Sequence, residues 1–444
     1  MEFKTVDELL AHTQTFMGKT FAEIDTLGLF ETAGKDKGIF GKVIETGGYG
    51  YELNSNPAAD FENLGIELKV TGYVKNSRGY KAKERLSLSM IDYEKIVFEE
   101  YNFSKLLFKN QRLLMIWYEY DRSKEKKDFV VTHYNLYDMS QDNDVFKNDF
   151  NLIKQKVLDG KAHLLSEGDT SYLGACTKGG AQSKPRKQPY SDVLAKPRAF
   201  SLKNAYMTGV LRRLLDGTIP AFEAVRELTA LDYLNQRYQK YFGWTQLEIL
   251  QDIKGEAYEG KIPKNLGKMI SDTVVGKDTE LKTKHDLFTK TEFIIKNTPV
   301  NAKLYPVERL SFRNLRLSEF ESPWEESDWK QYFEQVTILL VCYEAKNSSV
   351  KNGYRTLKGI KQLAFTDADL ESFRQTYERV HQAILQKDVS LLPYPGSFAG
   401  QVLEVAPKGQ GGDDAYNHFF EKDTTKVCFM LTKEFVKMKI DQSK

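Results

Sequence analysis

The chain has 444 residues, long for a single core, so two domains are the first expectation. Hydrophobic residues make up 41%, enough for two cores, yet no run approaches the roughly 18 apolar residues of a membrane span. With a formal net charge of only +2, any acidic partner must be met by locally concentrated Lys and Arg.

The N-terminus MEFKTVDELLAHTQTF carries acids and no apolar core, so it does not read as a signal peptide. Cys176, Cys342 and Cys428 stand far apart, which suits a reducing cytoplasm and cannot build a thiolate zinc site. Residues 4–17 and 20–28 read as short helices, and GIFGKVIETGG (38–48) as a third. Residues 64–74 read as a strand, with Leu64, Ile66, Leu68 and Val70 on one face and Glu67, Lys69 and Thr71 on the other. Residues 84–95 read as a strand with a turn; 112–120 and 128–137 are strongly strand-like. Helical signal covers 147–165, a loop rich in Gly, Ser, Lys and Pro covers 174–198, and 202–215 reads as a helix. DGTIP (216–220) breaks the chain, and a helical stretch at 221–241 leads into the second half.

Short segments of the first half recur in the second. GKVIE (41–45) matches GKMIS (267–271), and Lys69 in IELK matches Lys296 in FIIK. ERLS (84–87) matches ERLS (308–311), and LLMIWYEY (113–120) matches ILLVCYEA (338–345). YLGACTKGG (172–180) matches VLEVAPKGQ (402–410), and AFSLK (199–203) matches CFMLT (428–432). Six weak matches in order at nearly constant spacing read as a duplicated domain, copies at 1–220 and 221–444. In the second copy Glu45 becomes Ser271 and Glu67 becomes Ile294; Lys69 persists as Lys296 and Asp60 aligns with Asp286. With two carboxylates gone, that copy has too few hard oxygens for a magnesium site and reads as catalytically inactive.

The first copy holds Asp60-x6-Glu67-x-Lys69. Phosphodiester hydrolysis needs a positioned water, a neutralised pentavalent phosphate and a stabilised leaving oxygen, all of which carboxylate-bound Mg²⁺ supplies. Asp60 and Glu67 are the candidate direct ligands, with the Leu68 carbonyl a third. Lys69 is the candidate for orienting the attacking water, and Glu45 for a further carboxylate. Glu-x-Lys by itself equally describes an ion pair on a surface strand. A second constellation is basic: Lys178, Lys184, Arg186, Lys187, Lys196, Arg198 and Lys203, with only Asp192 among them, suit phosphate and base-edge contacts. They equally describe a solvated loop. Lys37, Lys83 and Arg85 are further phosphate candidates, and Lys408 is a basic residue kept by the second copy. The histidines show no metal spacing, and there is no Walker loop.

Taken together, KGIFGKVIE (37–45), the Asp60-x6-Glu67-Leu68-Lys69 motif, KERLSLSMIDYEK (83–95), LSEGDTSYLGACTKG (165–179) and QPYSDVLAKPRAFSLKNAYMT (188–208) resemble the MutH-type GATC endonucleases. That family comprises mismatch-repair nickases and duplicated Sau-type type II restriction enzymes, and the last three stretches look like the Sau-type branch. The resemblance implies an α/β, restriction-endonuclease-like (MutH-type) fold with a mixed sheet, duplicated as two tandem domains. It implies Mg²⁺, catalytic Glu45, Asp60, Glu67 and Lys69 with Lys37 adjoining, and recognition near Lys178 and Pro197-Arg198-Phe200. It also implies cutting before the G of 5′-GATC to leave 5′ overhangs, with the inactive copy acting as a DNA-binding effector. Double-stranded DNA is then the partner, with transient self-association on DNA and a companion DNA methyltransferase expected alongside. Two positions depart from the mismatch-repair branch. Ser201 stands where that branch has a tyrosine associated with adenine methylation, and Cys176 where it has a recognition arginine. A strand nickase and a non-cleaving DNA-binding protein remain the competing readings.

Overall fold

The computed structural model describes all residues except 1, 33–35, 37, 52–57, 77–78, 180–182, 217–229, 259, 276–292, 346–349, 409–413 and 444. The chain divides into two compact units, one drawn from Met1–Glu227 and the other from Leu228–Lys284 and Glu292–Lys444. The boundary read at 220/221 lies outside the described residues.

In the first unit, β1 (Ile66–Asn76), β2 (Gly79–Ala82), β4 (Arg112–Glu119) and β5 (Val130–Asp138) form a sheet of order β2-β1-β4-β5; β3 is Leu86–Met90. β1 and β4 run parallel, while the β1–β2 and β4–β5 pairs are antiparallel. Six consecutive residues of β4, from Leu113 to Tyr118, are buried, because apolar clusters cover both faces of the sheet. Ile66 and Leu68 join Leu114, Ile116 and Tyr118 under the N-terminal helices, which include Val6–Gln14 and Ile39–Val43. The other face carries Leu113, Met115 and Trp117 against the helices Asn143–Leu158 and Asn204–Asp216. Glu67 and Thr71, read as the polar face of β1, are therefore 3% and 1% exposed. β6 (Leu173–Thr177), β7 (Arg186–Gln188), β8 (Ser191–Ala195) and β9 (Arg198–Leu202) complete the unit. β3-β9-β6 is an antiparallel sheet and β7-β8 a hairpin.

The second unit repeats this plan. β10 (Phe293–Val300), β12 (Thr337–Glu344) and β13 (Thr356–Leu363) give the parallel-then-antiparallel order of β1-β4-β5; β11 is Leu310–Arg316. β11, β15 (Thr424–Leu431) and β14 (Leu403–Pro407) repeat β3-β9-β6 in the order β11-β15-β14. Register ties the copies residue by residue. Ile66 pairs with Arg112 as Phe293 pairs with Thr337, and Leu202 meets Leu86 and Leu173 as Leu431 meets Leu310 and Leu403. Lys296 thus stands at the Lys69 position and Ile294 at the Glu67 position. The fold is a mixed α/β plan present twice in the chain, as the resemblance to the MutH-type family implies.

Several segments differ from their sequence reading. The stretch read as one helix over 20–28 gives only Phe21–Ile24, followed by Leu29–Thr32. Residues 84–95 hold a strand and then the helical turn Tyr93–Ile96. The stretch read as a loop at 174–198 contains β6, β7 and β8. β6 is strand because it pairs with β9, a contact distant in sequence. The β7–β8 hairpin turns at Pro189-Tyr190, with Tyr190 at φ 61 in a left-handed conformation usually taken by Gly or Asn.

Candidate active site

A tight turn places Asp60. Phe61 and Ile66 exchange hydrogen bonds across a 3₁₀ turn (Phe61 N to Ile66 O 2.9 Å, Ile66 N to Phe61 O 3.3 Å), closed by Gly65 at φ 62. No neighbouring atom within 4 Å would meet a Cβ at Gly65, so glycine is needed there for backbone conformation and not for space. The turn folds Asp60 back onto β1. Its Oδ2 accepts the Leu68 N–H at 2.8 Å, and its own N–H donates to Glu67 Oε2 at 3.3 Å. Glu67 Oε1 meets Lys69 Nζ at 2.6 Å and Lys109 Nζ at 3.5 Å. Glu45 lies on a π-helical turn, Ile44–Gly48, that continues the helix Ile39–Val43; such turns are frequent at functional sites.

The electrostatics tie these groups together. Burial raises the Glu45 carboxyl above the ordinary range, and Asp60 and Glu67 raise it further against the opposing pull of Lys69. Burial also raises Glu67, only partly offset by Lys69, and Asp60 adds to the rise. Glu45 and Glu67, both raised and both facing Asp60, form with it a donor set suited to a hard divalent cation. Among the described residues no three His, Cys, Asp or Glu side chains are gathered round one point to enclose a metal ion. Magnesium asks for less, binding through one or two carboxylates and keeping several waters, so the residues present fit it.

The basic residues sort into two groups. Lys178, Lys184 and Arg186 line a shallow cleft of about 450 Å³ with Met90, Pro185 and Pro197. Lys184, Arg186 and Lys187 are exposed, as a nucleic-acid contact requires. Arg198 and Lys203, read from sequence as DNA contacts, are each 2% exposed. Arg198 donates to Ala175 O at 2.6 Å and Lys203 to Thr170 O, so both cations serve buried main-chain acceptors. Lys408 is exposed, with Nζ 3.1 Å from Phe312 O. Lys37 lies outside the described residues.

One further group escapes sequence reasoning. Lys109 reaches Glu67 from the helix Lys105–Asn110, which precedes β4. Parallel pairing brings the N-terminal ends of β1 and β4 together, and sequence does not state that pairing. Arg85 pairs with buried Glu167 at 2.9 Å, and Lys83 lies 4.5 Å from the Tyr120 ring centroid. In the second unit Arg309 matches Arg85 and pairs with Glu404 at 3.2 Å. Glu404 occupies the Gly174 register position, and at Gly174 an added Cβ would lie 3.5 Å from Glu167 Cδ. Each copy supplies the acid from a different place, so the arginine keeps an ion pair in both units.

Among its described residues the second unit lacks the acidic constellation. Ser271, at the Glu45 position, accepts from Tyr238 Oη and donates to Asn297 Oδ1, both at 3.0 Å. Ile294 packs against the apolar core. Asp286 lies outside the described residues.

The family model for the DNA mismatch repair enzyme MutH matches residues 49–149, a range that includes Asp60, Glu67, Lys69 and Lys109. The type II restriction enzyme Sau3AI of Staphylococcus aureus is 31% identical over 365 residues, covering 77% of this chain and 72% of that protein. The DNA mismatch repair protein MutH of Shewanella woodyi is 27% identical over 218 residues, covering 47% of this chain and 92% of that protein.

Proposed function

The chain belongs to the MutH/Sau-type family of DNA endonucleases, and on that footing we propose that it cuts both strands of double-stranded DNA at 5′-GATC in a Mg²⁺-dependent reaction, leaving 5′ overhangs. The observation that carries this reading is the buried Asp60–Glu67–Lys69 constellation with Glu45 beside it, complete in one unit and dismantled in the other.

Asp60, Glu67 and the Leu68 carbonyl would hold the ion, which when bound would supply phosphate neutralisation, nucleophile activation and leaving-oxygen stabilisation. Lys69 orients the attacking water with one of its three donors while keeping Glu67 with another. Lys109 shares the charge of Glu67 and adds positive charge beside the phosphate. The Asp60 turn fixes the spacing of the two carboxylates, because its N–H and carboxylate are both tied to β1. Glu45, raised by burial, is a better proton acceptor than an ordinary carboxylate. The cleft at Lys178, Lys184 and Arg186 receives the duplex, with Lys178 reading a base edge. Domains at 1–220 and 221–444 divide the labour, the first cutting and the second binding DNA as an effector.

The test is to incubate the purified chain with unmethylated plasmid and Mg²⁺ and to sequence the product ends. Cuts before G of GATC on both strands are expected. Persistent nicked circles on hemimethylated DNA would favour a mismatch-repair-type nickase. Intact plasmid under conditions where DNA is bound would sink the cleavage reading.

A further inference from the structure

The dismantled copy keeps one part of the catalytic set: Lys296, at the Lys69 position on β10. With Ile294 in place of Glu67, its ammonium has lost the carboxylate that holds Lys69. Nζ instead donates to Ser311 O at 2.6 Å and lies 5.8 Å from the Phe312 ring centroid. Lys408, on the residue that follows β14, donates to Phe312 O at 3.1 Å. The two ammonium groups thus rest on the carbonyls of consecutive residues of β11, where its pairing with β15 is bulged between Ser311 and Asn314. Burial lowers Lys296 to about 8, and Lys408 opposes its charge further. Among the described residues neither ammonium has a carboxylate within ion-pair distance. Buried Cys428 lies close to both. An ammonium carries three donors, and one carbonyl apiece leaves each with donors to spare. Lys296 is only partly buried and Lys408 is exposed, so the pair opens to solvent.

We propose that Lys296 and Lys408 form an oxyanion site in the second unit that binds a phosphate group. A bridging phosphate would relieve the repulsion between the two cations and take up their spare donors in charge-assisted hydrogen bonds. The former catalytic lysine has become half of an anion clamp. The proposal rests on the reading of the second unit as a DNA-binding unit where the phosphate belongs to a duplex; a free phosphate ion offers the same chemistry.

The full chain, without divalent metal, is trace-labelled with acetic anhydride, and the labelling rate at Lys296 is read by peptide mass spectrometry. Measurements are made alone, with inorganic phosphate, and with a short duplex whose binding is followed in parallel. Phosphate is expected to slow labelling of Lys296 by about tenfold, the weight of one charge-assisted hydrogen bond. Lys408→Met should abolish that protection while Lys296 itself is still present. Protection by both probes identifies a DNA phosphate as occupant, and protection by inorganic phosphate alone identifies a free anion. Unchanged labelling with both probes while the duplex binds overturns the site and leaves the DNA-binding reading standing. Unchanged labelling with no duplex bound overturns the site and counts against that reading as well.

Discussion

Lys69 and Lys296 hold the same place on equivalent strands, and their neighbours give them opposite tasks. Lys69 is neutralised by a buried glutamate, and its chemistry is exercised through that partner. Lys69→Ala and Asp60→Ala are each expected to lower cleavage by about 10³-fold while duplex binding is retained, checked by single-turnover cleavage beside a binding titration. A mutant of either residue cutting at near the parent rate would refute the site. Glu45 supplies a pH test. Its raised carboxyl means that the folded chain keeps a proton that the unfolded chain releases, so this residue lowers stability as pH climbs from the ordinary glutamate value of 4.5 through the raised one. Glu45→Gln should therefore melt at a higher temperature at neutral pH, show no gain below 4.5, and lose cleavage by about 10²-fold. The spacing of Asp60, Glu67 and Lys69 was legible in the sequence because a strand and its preceding turn are local. Lys109 was not, since its approach to Glu67 depends on which strand β1 pairs with.

At the level of elements, the turn before β1 and the basic segment after β6 invite separate tests. Gly65→Ala forces a side chain into a left-handed conformation, a change costing about 1 kcal/mol of stability. Because the same turn carries Asp60, cleavage should fall by more than the loss of folded protein explains, as comparison of thermal melts with rates will show. Lys178→Ala should weaken binding at GATC by about 1–3 kcal/mol with little effect on non-specific DNA. Lys203→Ala should instead remove about 1–3 kcal/mol of folding stability and leave binding by the folded fraction unchanged. A uniform loss of affinity on all sequences for Lys178→Ala would mark that lysine as a phosphate contact. Strands with strong β-branched and aromatic content, β4 and β5, were legible. β6 and the β7–β8 hairpin were not, because Gly, Ser and Lys carry no strand preference; pairing with β9 decides β6, and β7 and β8 pair only with each other. The same blindness made Arg198 and Lys203 resemble loop cations, when they lie on and beside the central strand of a buried sheet.

For the whole molecule, one complete site in a duplicated chain raises the question of how two strands are cut. If the second unit is an effector, a plasmid with two GATC sites should be cut faster than a plasmid with one, and a site-bearing oligonucleotide should stimulate the latter. Equal rates without stimulation would dismiss the effector role. The duplication itself was legible because offsets in sequence track strand register, and register cannot slip where both faces are buried. The relocated partner of Arg85 carries a consequence for the gene. If the β14 segment Leu403–Pro407 replaced the β6 segment Leu173–Thr177, two glutamates would face one arginine. In the reverse exchange Arg309 would lose Glu404 and face a glycine. Exchange between the two halves is therefore expected to lower the stability of each recombinant, read as a lower melting temperature, so selection on folding would oppose homogenising the two copies.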